Sequence, residues 1–253
     1  MRGHEHTVEV GSHLSCTLIL LPGMDGTGDL FAPLVRELGA YVPTRVVRYP
    51  DRPLDYAGHE EIARASLPTD RPFVVLGESF SGPIAVSIAA SAPPNMRGYV
   101  LSGSFLCSPG SNLKRLRPYF KYLVPQRMPL AMASYLLMGR YATPELREAL
   151  ASSLAMMSVD AMVARLTAIA DVDVRGKAQT IRMPGLYLRA SEDRVVDPSA
   201  ARTFMQFTAG TRIVDIAGPH SLLQANPRAC ASVLKQVLDE WGVSERVRPS
   251  SRV

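Results

Sequence analysis

The chain has 253 residues, of which 47% are hydrophobic and 20% charged, with a formal net charge of +5. That balance is ordinary for a globular protein and excludes disordered and fibrous classes, and the length fits one α/β core with an insertion better than two full domains. The longest apolar runs, near Cys16–Leu21 and Leu130–Met138, fall well short of the ~20 residues a membrane-crossing helix needs, so no span is expected. Met1–His6 is polar, so no secretory signal is expected. Three cysteines, Cys16, Cys107 and Cys230, are an odd count with no Cys-x-x-Cys spacing. This argues against a disulfide framework or a zinc site, and a reduced, cytoplasmic protein is the expectation.

In chain order, short apolar runs alternate with helical patterns, as in a parallel sheet with crossover helices. Strands are predicted at Cys16–Leu21, Thr44–Arg48, Phe73–Leu76 and Gly98–Ser102, and helices at Leu30–Leu38, His59–Leu67 and Pro83–Ala92. From about Phe105 to Thr180 the alternation stops, and helices are predicted at Leu113–Leu123, Leu130–Leu137, Pro144–Met157 and Val159–Ile169. It resumes with strands at Pro184–Leu188 and Arg212–Ile216 and helices at Pro198–Phe207 and Pro227–Trp241. The expected organisation is a core over residues 1–104 and 181–243, a helical insertion over 105–180 and a flexible tail over 244–253. The basic excess is confined to one stretch: residues 105–177 carry a net +5, and the rest of the chain is neutral.

The chemistry centres on Gly77-Glu78-Ser79-Phe80-Ser81-Gly82, placed between a strand and a helix. A nucleophile on so sharp a turn projects above the carboxyl edge of a sheet, and its neighbours two residues away must be small. Gly77 and Ser81 meet that condition, with Ser81 standing where the Gly-x-Ser-x-Gly pattern has its last glycine. Glu78 is expected to point away from the substrate, as adjacent strand residues do. A serine hydroxyl needs a base to take its proton. Of the five histidines, His4, His6, His13 and His59 precede the turn, and His220 alone follows it, after the last strand. The carboxylate that orients such a base is assigned to Asp193 in the loop after Pro184–Leu188. Glu192 is its neighbour and competitor, while Asp197 suits a cap for the helix at Pro198. The oxyanion formed in acyl transfer needs donors. The N–H of Phe80 is one, and the N–H of Met24, in the loop Pro22-Gly23-Met24-Asp25-Gly26-Thr27-Gly28, is the other. That loop matches neither the Walker nor the Gly-x-Gly-x-x-Gly phosphate-binding pattern.

With these elements in the order Ser79, Asp193, His220, the chain from about Cys16 to Trp241 resembles the α/β-hydrolase family. The resemblance implies a mostly parallel central sheet flanked by helices, with a helical cap inserted between the sixth and seventh strands. The N-terminal arm is short for the family's first two strands. Leu21–Gly28 is similar to the oxyanion loop of plant esterase/acyltransferase relatives. The basic cap is similar in placement and basic character to that of pimeloyl-[acyl carrier protein] methyl ester esterases, a resemblance that implies an anionic partner such as acyl carrier protein or coenzyme A at that face; a solvated basic face with no partner is the alternative reading. Six methionines of the insertion (Met128, Met132, Met138, Met156, Met157, Met162) suit an acyl-chain pocket or the core of the cap itself. Cys107 reads as a packing residue. The expected activity is a serine hydrolase acting on carboxylic esters through an acyl-enzyme on Ser79. An acyl-[acyl carrier protein] methyl esterase, a thioesterase or an acyltransferase with the same triad, and a non-catalytic small-molecule receptor, are the alternatives. No cofactor, metal or nucleic acid is expected.

Overall fold

The computed structural model describes residues 16–110 and 113–242. The tail at 244–253, the three N-terminal histidines and any strands before Thr17 lie outside the described residues. Six strands, β1 (Thr17–Leu21), β2 (Thr44–Val46), β3 (Phe73–Glu78), β4 (Met96–Ser102), β5 (Gly185–Ala190) and β6 (Thr211–Ile216), form one sheet. Their order is β2-β1-β3-β4-β5-β6, and every pairing is parallel. Parallel strands covered on both faces must be apolar throughout, and β1 and β3 are buried along their whole length.

Alternate strand residues sort to the two faces. Leu18, Leu20, Val74, Leu76, Val100, Leu186 and Leu188 pack with α1 (Ala32–Leu38) and the C-terminal helix Pro227–Glu240. Ile19, Leu21, Phe73, Val75, Tyr99, Leu101 and Tyr187 pack on the opposite side with α2 (Tyr56–Ala65) and α3 (Gly82–Ala90). Strand order reverses between β1 and β3, and ligand sites of open parallel sheets gather at the carboxyl edge of such a switch point. The loop 22–28 and Ser79 leave from those two edges.

Boundaries moved where local chemistry outweighs periodicity. Helix α2 starts three residues before His59, because the Asp55 carboxylate caps it by accepting from the Gly58 N–H at 2.9 Å. The stretch Leu113–Tyr119 is a 3₁₀ helix rather than the start of an α-helix, with Pro118 inside it. It leads into α4 (Phe120–Leu123), α5 (Leu130–Leu137), α6 (Pro144–Ala155), α7 (Val159–Asp171) and α8 (Arg175–Ala178). These helices lie between the fourth and fifth described strands. Placing them between a sixth and seventh presupposes two strands ahead of Thr17. Where the chain leaves and re-enters the sheet, its two arms are clasped: Ser108 N–H donates to Val172 O and Val174 N–H to Leu106 O, bridging Cys107 to Asp173. After β5 come α9 (Ser199–Phe207), then β6, α10 (Leu222–Ala225) and α11 (Pro227–Glu240). Among the described residues no single helix is long and apolar enough to cross a membrane.

Candidate active site

Strand β3 ends at Glu78, a 3₁₀ turn occupies Ser79–Ser81, and α3 begins at Gly82. Ser79 sits at φ 46°, a left-handed conformation that strains a side-chain-bearing residue and that only a well-determined surround maintains. That surround is visible. A Cβ on Gly77 would come within 2.6 Å of Ser81 O, and one on Gly82 would overlap the Ser104 hydroxyl, which itself donates to Ser79 O at 2.6 Å. Ser81 is more than a small residue: its hydroxyl donates to Pro22 O and lies 2.9 Å from the Tyr49 hydroxyl, tying the elbow to the loop after β1.

Ser79 Oγ lies 2.9 Å from Nε2 of His220, and His220 Nδ1 lies 2.9 Å from Oδ2 and 3.1 Å from Oδ1 of Asp193. Three residues separated by up to 141 positions therefore form one hydrogen-bonded series. The two loops that carry its distal members are joined, as Glu192 N–H donates to Gly218 O and Ser191 N–H to Ile216 O. Asp193 Oδ1 also accepts from the N–H groups of Val195 and Val196 at 2.8 and 2.9 Å. Burial alone would raise the Asp193 pKa, but the hydrogen bond and charge of His220 and these two amides outweigh it and hold the carboxyl below its usual value. Glu192 instead bonds Arg140 and Tyr141. Asp197 accepts from the Ser199 N–H at the start of α9.

The loop 22–28 reaches over the elbow, and a Cβ on Gly23 would lie 3.9 Å from Ser79 Cβ. Gly26 N–H donates to Gly23 O at 3.1 Å, so the peptide between Gly23 and Met24 turns its carbonyl toward Gly26 and its Met24 N–H the opposite way. Phe80 packs its ring into the core against Tyr56, at 4.7 Å between centroids, and leaves its backbone beside Ser79. Met24 and Phe80 thus both flank the serine.

Two residues of the helical segment fasten this loop. Arg165 of α7 is fully buried and donates to Met24 O at 2.8 Å, Pro50 O at 3.2 Å and His59 Nε2 at 3.3 Å. Ser153 of α6 donates to Asp25 Oδ2 at 2.9 Å, beside the Thr27 hydroxyl and N–H. Burial lowers the Arg165 pKa, opposed first by the Asp25 carboxylate. His59, pushed down to about 4 by burial, is neutral near pH 7 and accepts from Arg165.

A cavity of about 250 Å³ opens above Ser79 and His220. Its walls are mainly apolar, among them Leu30, Phe105, Leu137, Leu154, Leu166 and Val196. Of the six methionines of the insertion, Met162 reaches it. Met138 and Met157 are buried in small clusters among the helices, Met128 is half-buried against the Met138 cluster, and Met132 and Met156 are exposed. Leucine rather than methionine therefore makes the wall. Glu78 corrects the sequence expectation: it is buried, lines this cavity and accepts from Gln224 Nε2 at 2.9 Å. The alternation argument fails because β3 ends there and the side chain emerges at the open edge of the sheet, where α10 presents Gln224. Burial pushes the Glu78 pKa up to about 7, with Gln224 opposing. Cys107 is half-buried and does not line the cavity. Among the described residues, no three His, Cys, Asp or Glu side chains are grouped to hold a metal ion.

The family profile described as serine aminopeptidase, S33, matches residues 46–223. No curated protein matches the sequence significantly. Solved structures similar to the chain include a hydrolase from Pseudomonas aeruginosa PA01 (TM-score 0.75, 20% identity, covering 88% of this chain and 90% of that one). They also include the esterase EaEST from Exiguobacterium antarcticum (TM-score 0.74, 15% identity, 89% and 93%). A third is MGS-M2, an alpha/beta hydrolase enzyme from a Medee basin deep-sea metagenome library (TM-score 0.72, 15% identity, 98% and 94%).

Proposed function

Since the chain belongs to the serine aminopeptidase S33 family of hydrolases and has the α/β-hydrolase fold, we propose that it is a serine esterase that cleaves carboxylic esters of apolar acyl groups. The observation that carries this reading is the series Ser79–His220–Asp193, with both links at 2.9 Å, on the floor of an apolar cavity.

In the proposed reaction Ser79 Oγ attacks the ester carbonyl while His220 Nε2 takes its proton. Asp193 holds Nδ1–H and stabilises the imidazolium. The charge that develops on the carbonyl oxygen is met by the N–H groups of Met24 and Phe80, in a site from which the apolar wall excludes water. Collapse of the tetrahedral intermediate breaks the ester C–O bond, and the His220 proton passes to the departing alkoxide. Water then repeats the sequence on the acyl-enzyme, with His220 as its base, and Ser79 regains its proton. The acyl group is proposed to be apolar and not anionic, because the wall is mainly apolar and its carboxyls, Asp25 and Glu78, face no lysine or arginine in the lining.

A series of p-nitrophenyl esters of increasing chain length, run on wild type and Ser79→Ala, tests the reading. Loss of turnover by ~10⁴-fold or more is expected on removing the nucleophile, since triad members act as a unit. Retained turnover in Ser79→Ala refutes it. Adding an acceptor alcohol separates hydrolysis from acyl transfer by the product formed.

A further inference from the structure

The helical segment carries an outer surface that roofing the cavity does not require. From Phe105 to Pro144 the sequence has six cations, Lys114, Arg115, Arg117, Lys121, Arg127 and Arg140, and not one Asp or Glu. In the middle of that stretch the exposed large apolar side chains of the molecule concentrate: Leu116, Tyr119, Tyr122, Leu123, Leu130, Met132 and Tyr135. Elsewhere among the described residues four such side chains are exposed, widely separated in sequence: Tyr41, Met156, Val195 and Met205. Exposed apolar side chains occurring singly mean little, but a concentration of them marks an interaction surface.

The pattern has an orientation. In the 3₁₀ run Leu113–Tyr119 residues three apart share a face. Leu113, Leu116 and Tyr119 therefore form one row, which Tyr122 and Leu123 extend. Leu113 at its head lines the cavity, as does Pro125 just beyond its foot. Asp171 pairs with Lys114 and Arg117. Among the described residues Arg115, Lys121 and Arg127 have no carboxylate partner, and all three are exposed. Cations with apolar stems, tyrosines with polar tips, and leucines between them are the mixture that settles at a lipid–water boundary. Rings sit at headgroup depth, aliphatic chains dip below, and the cations meet phosphates.

We propose that this face docks on an anionic phospholipid bilayer, with the mouth of the cavity turned toward the lipid. A bilayer suits the face better than an acidic protein. The apolar side chains are spread among the cations rather than set apart in one pocket, and no carboxylate in the stretch provides the alternating sign that fixes register in a protein interface. Docking does not depend on chemistry at Ser79. Entry of an ester from the lipid phase rests on the esterase reading above.

The test uses the full chain in flotation with phosphatidylcholine vesicles and with an equal mixture of phosphatidylcholine and phosphatidylglycerol. Binding to the mixed vesicles alone, weakened by salt, is expected. At about 1 kcal/mol per cation near such a surface, Arg115→Gln/Lys121→Gln/Arg127→Gln lowers the partition coefficient on the order of 100-fold. Tyr119→Ser/Tyr122→Ser/Leu123→Ser lowers it as well, while both variants turn over a soluble short-chain ester at the wild-type rate. Equal partition of wild type and the cation variant overturns the proposal. So does absence of vesicle binding accompanied by capture of an acidic acyl carrier protein at the same residues, which assigns the face to a protein. Vesicle binding without turnover of any ester leaves docking intact and removes the esterase reading, so the two fail separately.

Discussion

Arg165→Met tests whether the helical segment sets the oxyanion site. The guanidinium donates to Met24 O at 2.8 Å and holds Pro50 O and the neutral His59 ring at 3.2 and 3.3 Å. No carboxylate lies within ion-pairing distance among the described residues. Its neighbourhood leaves no slack, since a Cβ on Gly26 would come 2.5 Å from the guanidinium. Methionine keeps the bulk and removes the charge-assisted bonds, each worth ~1.5–3 kcal/mol. The Met24 carbonyl then loses its anchor, while the Gly23–Gly26 turn and the Ser153–Asp25 bond persist. Loss of an entire oxyanion donor costs ~10²–10³ in kcat, so the expected fall lies between about 10-fold and that ceiling. KM stays near wild type, because ground-state contacts are made by the distant apolar wall. A trifluoromethyl ketone, which resembles the tetrahedral intermediate, should lose affinity in parallel with kcat. Lysine in place of Arg165 restores part of the loss at best, lacking the planar fork that reaches three acceptors. Active-site titration before assay confines the comparison to folded enzyme. A variant with wild-type kcat and inhibitor affinity, or one whose whole defect lies in KM, refutes the reasoning.

Asp193→Asn preserves shape but favours the wrong His220 tautomer, and kcat should fall about 10⁴-fold with little change in melting temperature; a fall below tenfold in p-nitrophenyl ester assays contradicts the assignment. Acyl chain length should raise kcat/KM about fourfold per methylene, from ~0.8 kcal/mol per buried CH₂, until the cavity is full, and then lower it; a flat series means the wall does not hold the acyl group. Glu78, raised from 4.5 to about 7, contributes stability that is complete below pH 4.5 and is lost as pH climbs through 7. His59, lowered from 6.5 to about 4, contributes stability that is complete above pH 6.5 and is lost as pH falls through 4. The two oppose each other between pH 4.5 and 6.5. In Glu78→Gln the stability should therefore rise with pH across that window and exceed wild type by about 3 kcal/mol at pH 8. Urea unfolding at several pH values checks this, and parallel wild-type and variant profiles count against a buried, proton-binding Glu78.

The parts of the site legible in the sequence are those written in local grammar. Ser79, Asp193 and His220 each follow a strand at its carboxyl end, with Gly77 and Gly82 bracketing the turn that bears Ser79 and Gly218-Pro219 just before His220. Once strand order is parallel, those ends must share one edge. Arg165 carried no such mark, since an arginine on an amphipathic helix reads as solvated, and its contact with Met24 spans 141 positions. Ser81 was legible as a small residue but not as the hydroxyl that binds Pro22. Gly103, at φ 53° after β4, would place a Cβ 3.3 Å from His220 Nδ1; the sequence shows a glycine there and nothing of what lies against it. Glu78 misled because alternation is a rule for strand interiors, and this residue is a strand terminus.

The central claim is that the hydroxyl of residue 79 is a nucleophile activated by its neighbours. Incubation with a fluorophosphonate, followed by intact-mass and peptide mass spectrometry, tests it most directly. The account predicts one phosphonyl adduct per chain, on the peptide bearing Ser79, and its loss in both Ser79→Ala and His220→Ala. An unlabelled wild-type protein, or an adduct on a different residue, contradicts it.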